Sequence, residues 1–253
     1  MSHPSLERHY EKKYAAEKSG SSLPLVPLKP VPLTRFEAAI KYFPRFFQGG
    51  DVLELGAGNG LVANTLLHEH PEIRSYTLGD LSQARVEGIR RSINDDRLKT
   101  LELDAEQLPD DLSTQYDAVI MIALIEHLVD PLRAMQAIRK LLKPNGIVYI
   151  DTPNIAKYTH RIKLMRGRFP STASTNEGLS TYDGAPVDLH DEGHLHYFTY
   201  RSLSLMLTDR CGFSGISKMG YSCGPNHFGH TLHDRLAQAW PEMFSELLLV
   251  AHA

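Results

Sequence analysis

Cysteine is almost absent from this chain of 253 residues, which carries only Cys211 and Cys223. So small a number excludes a disulfide framework and reads as two free thiols in a reducing compartment. Long apolar runs are missing too. No stretch approaches the ~20 apolar residues that a membrane-spanning helix needs, and Met1 to Tyr10 lacks the apolar core of a secretory leader. A cytoplasmic protein without membrane contact is expected. Positive charge is not in excess, with 27 Lys and Arg against 30 Asp and Glu and a net charge of −3. That balance gives no general attraction to nucleic acid. Internal repeats and low-complexity tracts are also lacking. What is present, 42% hydrophobic residues, suffices for one full core, and a single domain over 1–253 is expected.

The most informative segment runs from Asp51 to Gly60, an apolar stretch ending in three glycines at alternate positions. Val52, Leu53 and Leu55 suit a buried parallel strand, and Leu61, Val62, Leu66 and Leu67 then recur at helical spacing. Gly56, Gly58 and Gly60 let the chain turn tightly and bring backbone amides close to a ligand at a helix N-terminus. Glu54 decides which ligand. Fixed at the strand end, it repels a pyrophosphate and attracts a cofactor that carries an ammonium and a sulfonium. S-adenosylmethionine (SAM) meets that demand; a nicotinamide cofactor does so only if Glu54 sits away from the diphosphate.

Later segments arrive in the order of a doubly wound, mostly parallel α/β sheet. Tyr76 to Asp80 reads as a second strand ending in a carboxylate about twenty residues past the loop, where a ribose diol is gripped. Leu101 to Pro109 gives a third strand with Asp104 at its end and Ala105 next. Asp104 there can accept from an adenine amino group while the following amide donates to the ring. Tyr116 to Leu128 supplies a fourth strand, Leu141 to Pro153 a turn and a fifth, Phe213 to Tyr221 a sixth and Phe244 to Ala251 the last. Any one of these carboxylates also reads as a strand-end cap; Glu54, Asp80 and Asp104 at successive strand ends make a pattern.

On these residues the chain resembles the class I SAM-dependent methyltransferases over residues 45–253. The resemblance implies a seven-stranded Rossmann-like sheet whose antiparallel last strand lies between strands five and six. It implies that Glu54, Gly56, Gly58 and Gly60 hold the methionine part of SAM, Asp80 the ribose hydroxyls, and Asp104 and Ala105 the adenine. Glu126-His127-Leu128, Leu142 to Gly146 and Thr152-Pro153-Asn154 look like the branch that includes ubiquinone-type O-methyltransferases and bacterial methyltransferases of sugar and natural-product pathways. Asn145 departs from the glycine more frequent there, with little consequence because asparagine tolerates the left-handed conformation. Apolar Ala123 leaves fewer polar groups near the end of strand four.

Two additions frame the sheet. An arm over residues 1–34 contains a short charged helix, Leu6 to Lys18, with Tyr10 and Tyr14 on one face as a lid or as packing, then a Pro-rich break. Phe36, Ile40 and Phe43 are spaced for a helix that Pro44 ends. An insert over 155–199 follows strand five and is well placed to cap a substrate. Its first part carries Lys157, Arg161, Lys163, Arg166 and Arg168 without an acid, and its second carries acids without Lys or Arg. The basic part reads either as an anion site built on Arg161, Arg166 and Arg168 or as a solvated amphipathic helix with Ile162, Leu164 and Met165 on the sheet.

Histidines concentrate at Asp188 to Thr199. His190, His194 and His196 are the right types for a metal, but paired-histidine signatures are absent and no metal is expected. A general base is better motivated, because a hydroxyl must lose its proton as it takes a methyl group. His194, which with Tyr197, Phe198 and Thr199 resembles the histidine that this methyltransferase branch carries just before the next helix on the active-site side, is the first candidate base and His127 the second, with Tyr14, His196 and Tyr197 as acceptor contacts. A third reading has these side chains capping the helix that opens near Arg201. His227, His230 and His233 read as a solvated loop and helix start.

The expected function is methyl transfer from SAM to a small-molecule oxygen, by a monomer or homodimer. Alternatives are N-methylation of a small molecule, a non-catalytic SAM-binding partner protein, and a nicotinamide-dependent oxidoreductase.

Overall fold

The computed structural model describes residues 23–109, 115–173, 177, 181–182, 185–186, 190–222 and 229–253. Tyr10, Tyr14, Cys223 and His227 lie outside them. Gly50–Leu55 forms β1, Ile73–Asp80 β2, Leu98–Glu102 β3, Tyr116–Ile122 β4 and Leu142–Thr152 β5. β1 pairs in parallel with β2 and with β4, β2 with β3, and β4 with β5. Thr181–Tyr182 (β6) and Ala185–Pro186 (β7) make a separate two-stranded hairpin, and Gly215–Met219 (β8) and Leu247–His252 (β9) complete the main sheet. The spatial order is β3-β2-β1-β4-β5-β9-β8, with β9 antiparallel to both neighbours.

Alternation along the strands sends side chains to two cores. Val52, Tyr76, Ile120 and Tyr149 join Phe43 and Leu66 on one face. Leu53, Val119, Val148 and Leu249 join Met135 and Leu203 on the other. Both faces are therefore covered, as a parallel sheet requires. Helix α1 (Arg35–Tyr42) is capped by Thr34, whose hydroxyl accepts from Glu37 N at 3.2 Å, and a short turn through Pro44 follows it. Leu61–Glu69 (α2), Gln83–Ser92 (α3) and Pro131–Lys140 (α4) are the crossovers.

The structure corrects several expectations. The third strand ends at Glu102, so Asp104 stands two residues past it; the sixth is trimmed to Gly215–Met219 and the last shifted to Leu247–His252. The helix Tyr158–Met165 (α5) buries none of its side chains, and Ile162, Leu164 and Met165 are 41%, 56% and 88% exposed, which rules out their packing on the sheet. The helix opening at Tyr200 (α6, to Leu205) widens into a π turn over Met206–Arg210. It is capped by Thr199 and Ser202 in a reciprocal box, so the histidines before it are not its caps. His233, on α7 (His230–Ala239), is fully buried, bonded to Ser222 and to Phe244 O through Nε2; it is not solvated. The short α8 (Pro241–Phe244) leads into β9. Asn145 does take a left-handed conformation, with φ 64°. Cys211 is buried as a free thiol. No helix among the described residues is long and apolar enough to cross a membrane.

One polar clamp ties the N-terminal ends of four interior strands, β1, β2, β4 and β5. Asp51 accepts from Arg74 Nε at 2.9 Å, Ser75 Oγ at 2.8 Å and Lys143 Nζ at 2.9 Å, and Lys143 also reaches Asp117 at 2.6 Å. Arg74 above all, opposed by burial and assisted by Lys143 and Ser75, holds the Asp51 carboxyl below its ordinary value of 3.8. A depressed carboxylate stabilises the fold above the unfolded pKa and loses that contribution as pH falls through the folded one. Asp51→Asn is expected to cost about 2 kcal/mol at neutral pH. Urea titrations at several pH values should show the gap to wild type shrinking below pH ~4; a gap constant down to pH ~2 would refute the linkage.

Candidate active site

Strand order reverses between β1 and β4, and the crevice at their C-terminal ends is where such sheets bind ligands. A cavity of about 490 Å³ opens there, bordered by Arg35, Phe36, Glu54, Gly58, Arg85 and Ala123 among others. Gly60 opens α2 at φ 80°, and a Cβ on it would meet Ile89 Cγ2 at 3.1 Å. Gly56 has φ 69°, and a Cβ there would sit 3.0 Å from Leu124 Cδ1. Both positions need glycine. Ala123 holds φ 50° with its amide bonded to Asp151 O at 2.8 Å, a strained residue on the cavity wall.

Glu54 is buried at the end of β1, and Tyr76 donates its hydroxyl to Oε2 at 2.7 Å. Burial pushes the carboxyl up to about 7, against the Tyr76 hydrogen bond and with help from Asp80. A carboxylate so desolvated gains most from a cationic ligand. Asp80 accepts from Ser82 N at 3.0 Å, and Arg85 Nη1 lies 3.7 Å from its other oxygen. Burial raises its pKa, with Ser82 and Arg85 opposing. Asp104 accepts from Glu106 N at 2.9 Å and from Gln107 Nε2 at 2.8 Å, beside buried Ala105. Asp80, Asp104 and Ala105 lie beyond the residues lining the cavity.

Sequence reasoning passed over Arg35 and Asp151. Arg35 borders the cavity, and its Nε lies 3.9 Å from Asp151 Oδ1. Burial opposes its charge, but Asp151, Tyr221, Glu126 and Glu246 outweigh it and raise its pKa. Asp151 is buried, receives the Tyr221 hydroxyl at 2.7 Å and is pushed up to about 6 by burial, against Arg35 and Tyr221. Signals for both were available. A cation at the first position of a helix opposes the macrodipole and calls for another reason, and Asp151 ends an apolar strand as Glu54 and Asp80 do.

The turn after β4 gathers the candidate bases. His127 and His194 face each other with ring centroids 4.7 Å apart and planes at 77°. His127 Nδ1 lies 3.1 Å from Gly193 O, and His194 Nδ1 lies 2.7 Å from Thr172 Oγ1. Glu126, buried between them and β5, accepts from Thr152 Oγ1 at 2.8 Å, while its Oε1 has no hydrogen-bond partner among the described residues. Burial pushes this carboxyl up to about 7, with Arg35 and Thr152 among the groups opposing. One donor atom from each of Glu126, His127 and His194 lies within 4.8 Å of the others, a grouping of side-chain types that metal ions take as ligands.

His196 is placed apart from this group, half-buried, with Nε2 3.3 Å from Val129 O. Tyr197 donates to Asp191 at 3.0 Å. Of the three arginines, Arg161 Nε donates to Ala156 O at 2.5 Å and Arg168 Nε to Glu177 Oε1 at 2.6 Å, which joins the basic and acidic parts of the insert. Arg166 follows α5 as its exposed cap residue.

Residues 33–218 match the family model described as a methyltransferase domain. The chain is a class I SAM-dependent methyltransferase. A ubiquinone biosynthesis O-methyltransferase of Pectobacterium atrosepticum is 28% identical over 209 residues, covering 74% of this chain and 77% of that protein. One of the same description from Erwinia tasmaniensis is 30% identical over 108 residues, 42% of this chain and 43% of that one. Among solved structures, a SAM-dependent methyltransferase from Archaeoglobus fulgidus superposes with a TM-score of 0.55 at 14% identity, covering 86% of this chain and 92% of that one. A Thermotoga maritima SAM-dependent methyltransferase, possible histamine N-methyltransferase, gives 0.54 at 16% identity over 86% and 88%. Those identities speak to the fold, and the methyltransferase sheet is the one described above. The methyltransferase uses SAM, and buried Glu54 beside a cavity of this size fits that cofactor.

Proposed function

We propose that this methyltransferase moves the methyl group of SAM to a hydroxyl oxygen of a small molecule. The observation that carries the reading is the His127–His194 pair, 4.7 Å apart, one from the turn that follows β4 and one from the insert. SAM supplies an electrophilic methyl group on a sulfonium. Glu54 and the glycines at 56, 58 and 60 hold its methionine part, and Arg35 across the cavity answers the carboxylate of that tail. Asp80 takes the ribose hydroxyls, and Asp104 with the Ala105 amide takes the adenine. His194 removes the acceptor's proton as the oxygen becomes nucleophilic, with His127 the second candidate.

Alignment of donor and acceptor supplies roughly 7–11 kcal/mol of barrier lowering, and a base adds roughly 10²–10⁴ in rate. Oxygen is favoured over nitrogen by the names of the relatives that match over most or part of this chain. The insert carries the acceptor, with Tyr197 and His196 as contacts and Arg161, Arg166 and Arg168 answering any anionic group.

Isotope-labelled SAM incubated with a catechol, a benzoate, an amine and a metabolite extract tests this. A labelled methyl ether or ester is expected, and alanine at Arg166 should raise the Michaelis constant of an anionic acceptor without changing SAM affinity. Label found only on nitrogen, or on no acceptor, would overturn the proposal.

A further inference from the structure

Asp191 is the most heavily bonded carboxylate among the described residues of the insert. It is fully buried, holds φ 47°, and accepts from Ser171 Oγ at 2.5 Å, Thr172 N at 3.2 Å, Thr172 Oγ1 at 3.1 Å, Ala173 N at 3.3 Å and Tyr197 OH at 3.0 Å. Burial alone would push its pKa up, but these donors outweigh it and hold the carboxyl below its ordinary value. An ionised carboxylate only accepts. The single hydroxyl proton of Thr172 therefore goes to Asp191, and the oxygen of Thr172 is left as an acceptor.

That oxygen also lies 2.7 Å from His194 Nδ1. With its own proton committed, Thr172 can only receive there, so the proton in this contact belongs to the imidazole. Asp191 itself is 3.9 Å from Nδ1, too far for a direct hydrogen bond, and the threonine spans the gap. We infer that Asp191 and Thr172 fix His194 in the tautomer protonated on Nδ1, leaving Nε2 as its basic nitrogen. The two are positioning residues, and they act through His194 alone. Which ring nitrogen carries the proton is set by what the other one meets. Here the setting group reaches in from the two ends of the insert, since Thr172 and Asp191 flank the hairpin of β6 and β7. Glu126 and His127 are titratable groups that also come close to the ring.

The catalytic consequence rests on the reading of His194 as the base, because a neutral imidazole with its proton on the wrong nitrogen cannot accept one from the acceptor. The tautomer itself does not depend on that reading. Long-range proton–nitrogen correlation spectra of uniformly ¹⁵N-labelled protein at neutral pH, assigned with His194→Gln, test it directly. Wild type is expected to show His194 protonated on Nδ1, Thr172→Val to show a mixture or the Nε2-protonated form, and Thr172→Ser to restore the wild-type pattern. Turnover on the methylated acceptor should fall about 5–10-fold in Thr172→Val and recover in Thr172→Ser, with S-adenosylhomocysteine affinity unchanged. An Nε2-protonated His194 in wild type, or an unaltered Nδ1-protonated ring in folded Thr172→Val, overturns the inference. The expected spectra with unchanged turnover in both Thr172→Val and His194→Ala would uphold the tautomer device and remove the base.

Discussion

Turnover of His194→Ala is expected to fall by about 10²-fold or more, with the affinity for S-adenosylhomocysteine nearly intact. The separation follows from placement. His194 stands on the insert side of the turn after β4 and bonds to Thr172, whereas the cofactor cavity is bordered by Glu54, Gly58 and Arg35. A base is needed only while the acceptor loses its proton, so its removal acts on the chemical step and not on the cofactor. His127→Ala should cost less, since its Nδ1 is already engaged with Gly193 O. A wild-type rate for His194→Ala would pass the role to His127 or to alignment alone. Chelators should leave activity intact, because an activated sulfonium and a histidine base ask nothing of a metal. Loss of activity on chelation, with recovery on adding a divalent metal, would make those three its ligands.

Glu54→Gln should weaken SAM binding by about 2 kcal/mol or more, the worth of a charge-assisted contact in a buried site. Burial holds the free carboxyl at about 7, and a cation selects its ionised form. SAM affinity should therefore be full above pH ~7 and fall by up to about tenfold per unit below it, with proton release on binding near neutrality. The ligand-free protein responds in the opposite sense. The folded pKa stands above the ordinary 4.5, so this group costs stability as pH rises from 4.5 toward 7, and Glu54→Gln should melt a few degrees higher than wild type without ligand. Calorimetry across pH 5.5–8.5, with a nicotinamide dinucleotide as control, reads all of this. A pH-independent SAM affinity would show that Glu54 does not meet the cofactor's charge.

Most of the sheet was legible in the residue pattern, because a parallel strand covered on both faces must be an apolar run and the crossovers must show helical spacing. The glycine loop was legible for a related reason: positive φ at 56 and 60 leaves glycine as the only comfortable residue, so the requirement is written in the residue itself. Strand ends were less so. Asp104 falls two residues past β3 because pairing with β2 stops at Glu102, which no local signal announces.

The sequence by itself determined the α/β class, the cofactor loop with Glu54 at its strand end, and histidines 127 and 194 as separate candidates. Only the tertiary structure decided that those two, 67 positions apart, meet edge to face while His196, two residues from His194, turns to Val129 O. The same holds for Arg35 against Asp151, for the Asp191-Thr172-His194 chain, and for α5, whose apolar residues face outward. Periodicity reports only which side of its own element a residue occupies; which distant element that side meets depends on chain crossings and on the path of an insert that has no repeat to read.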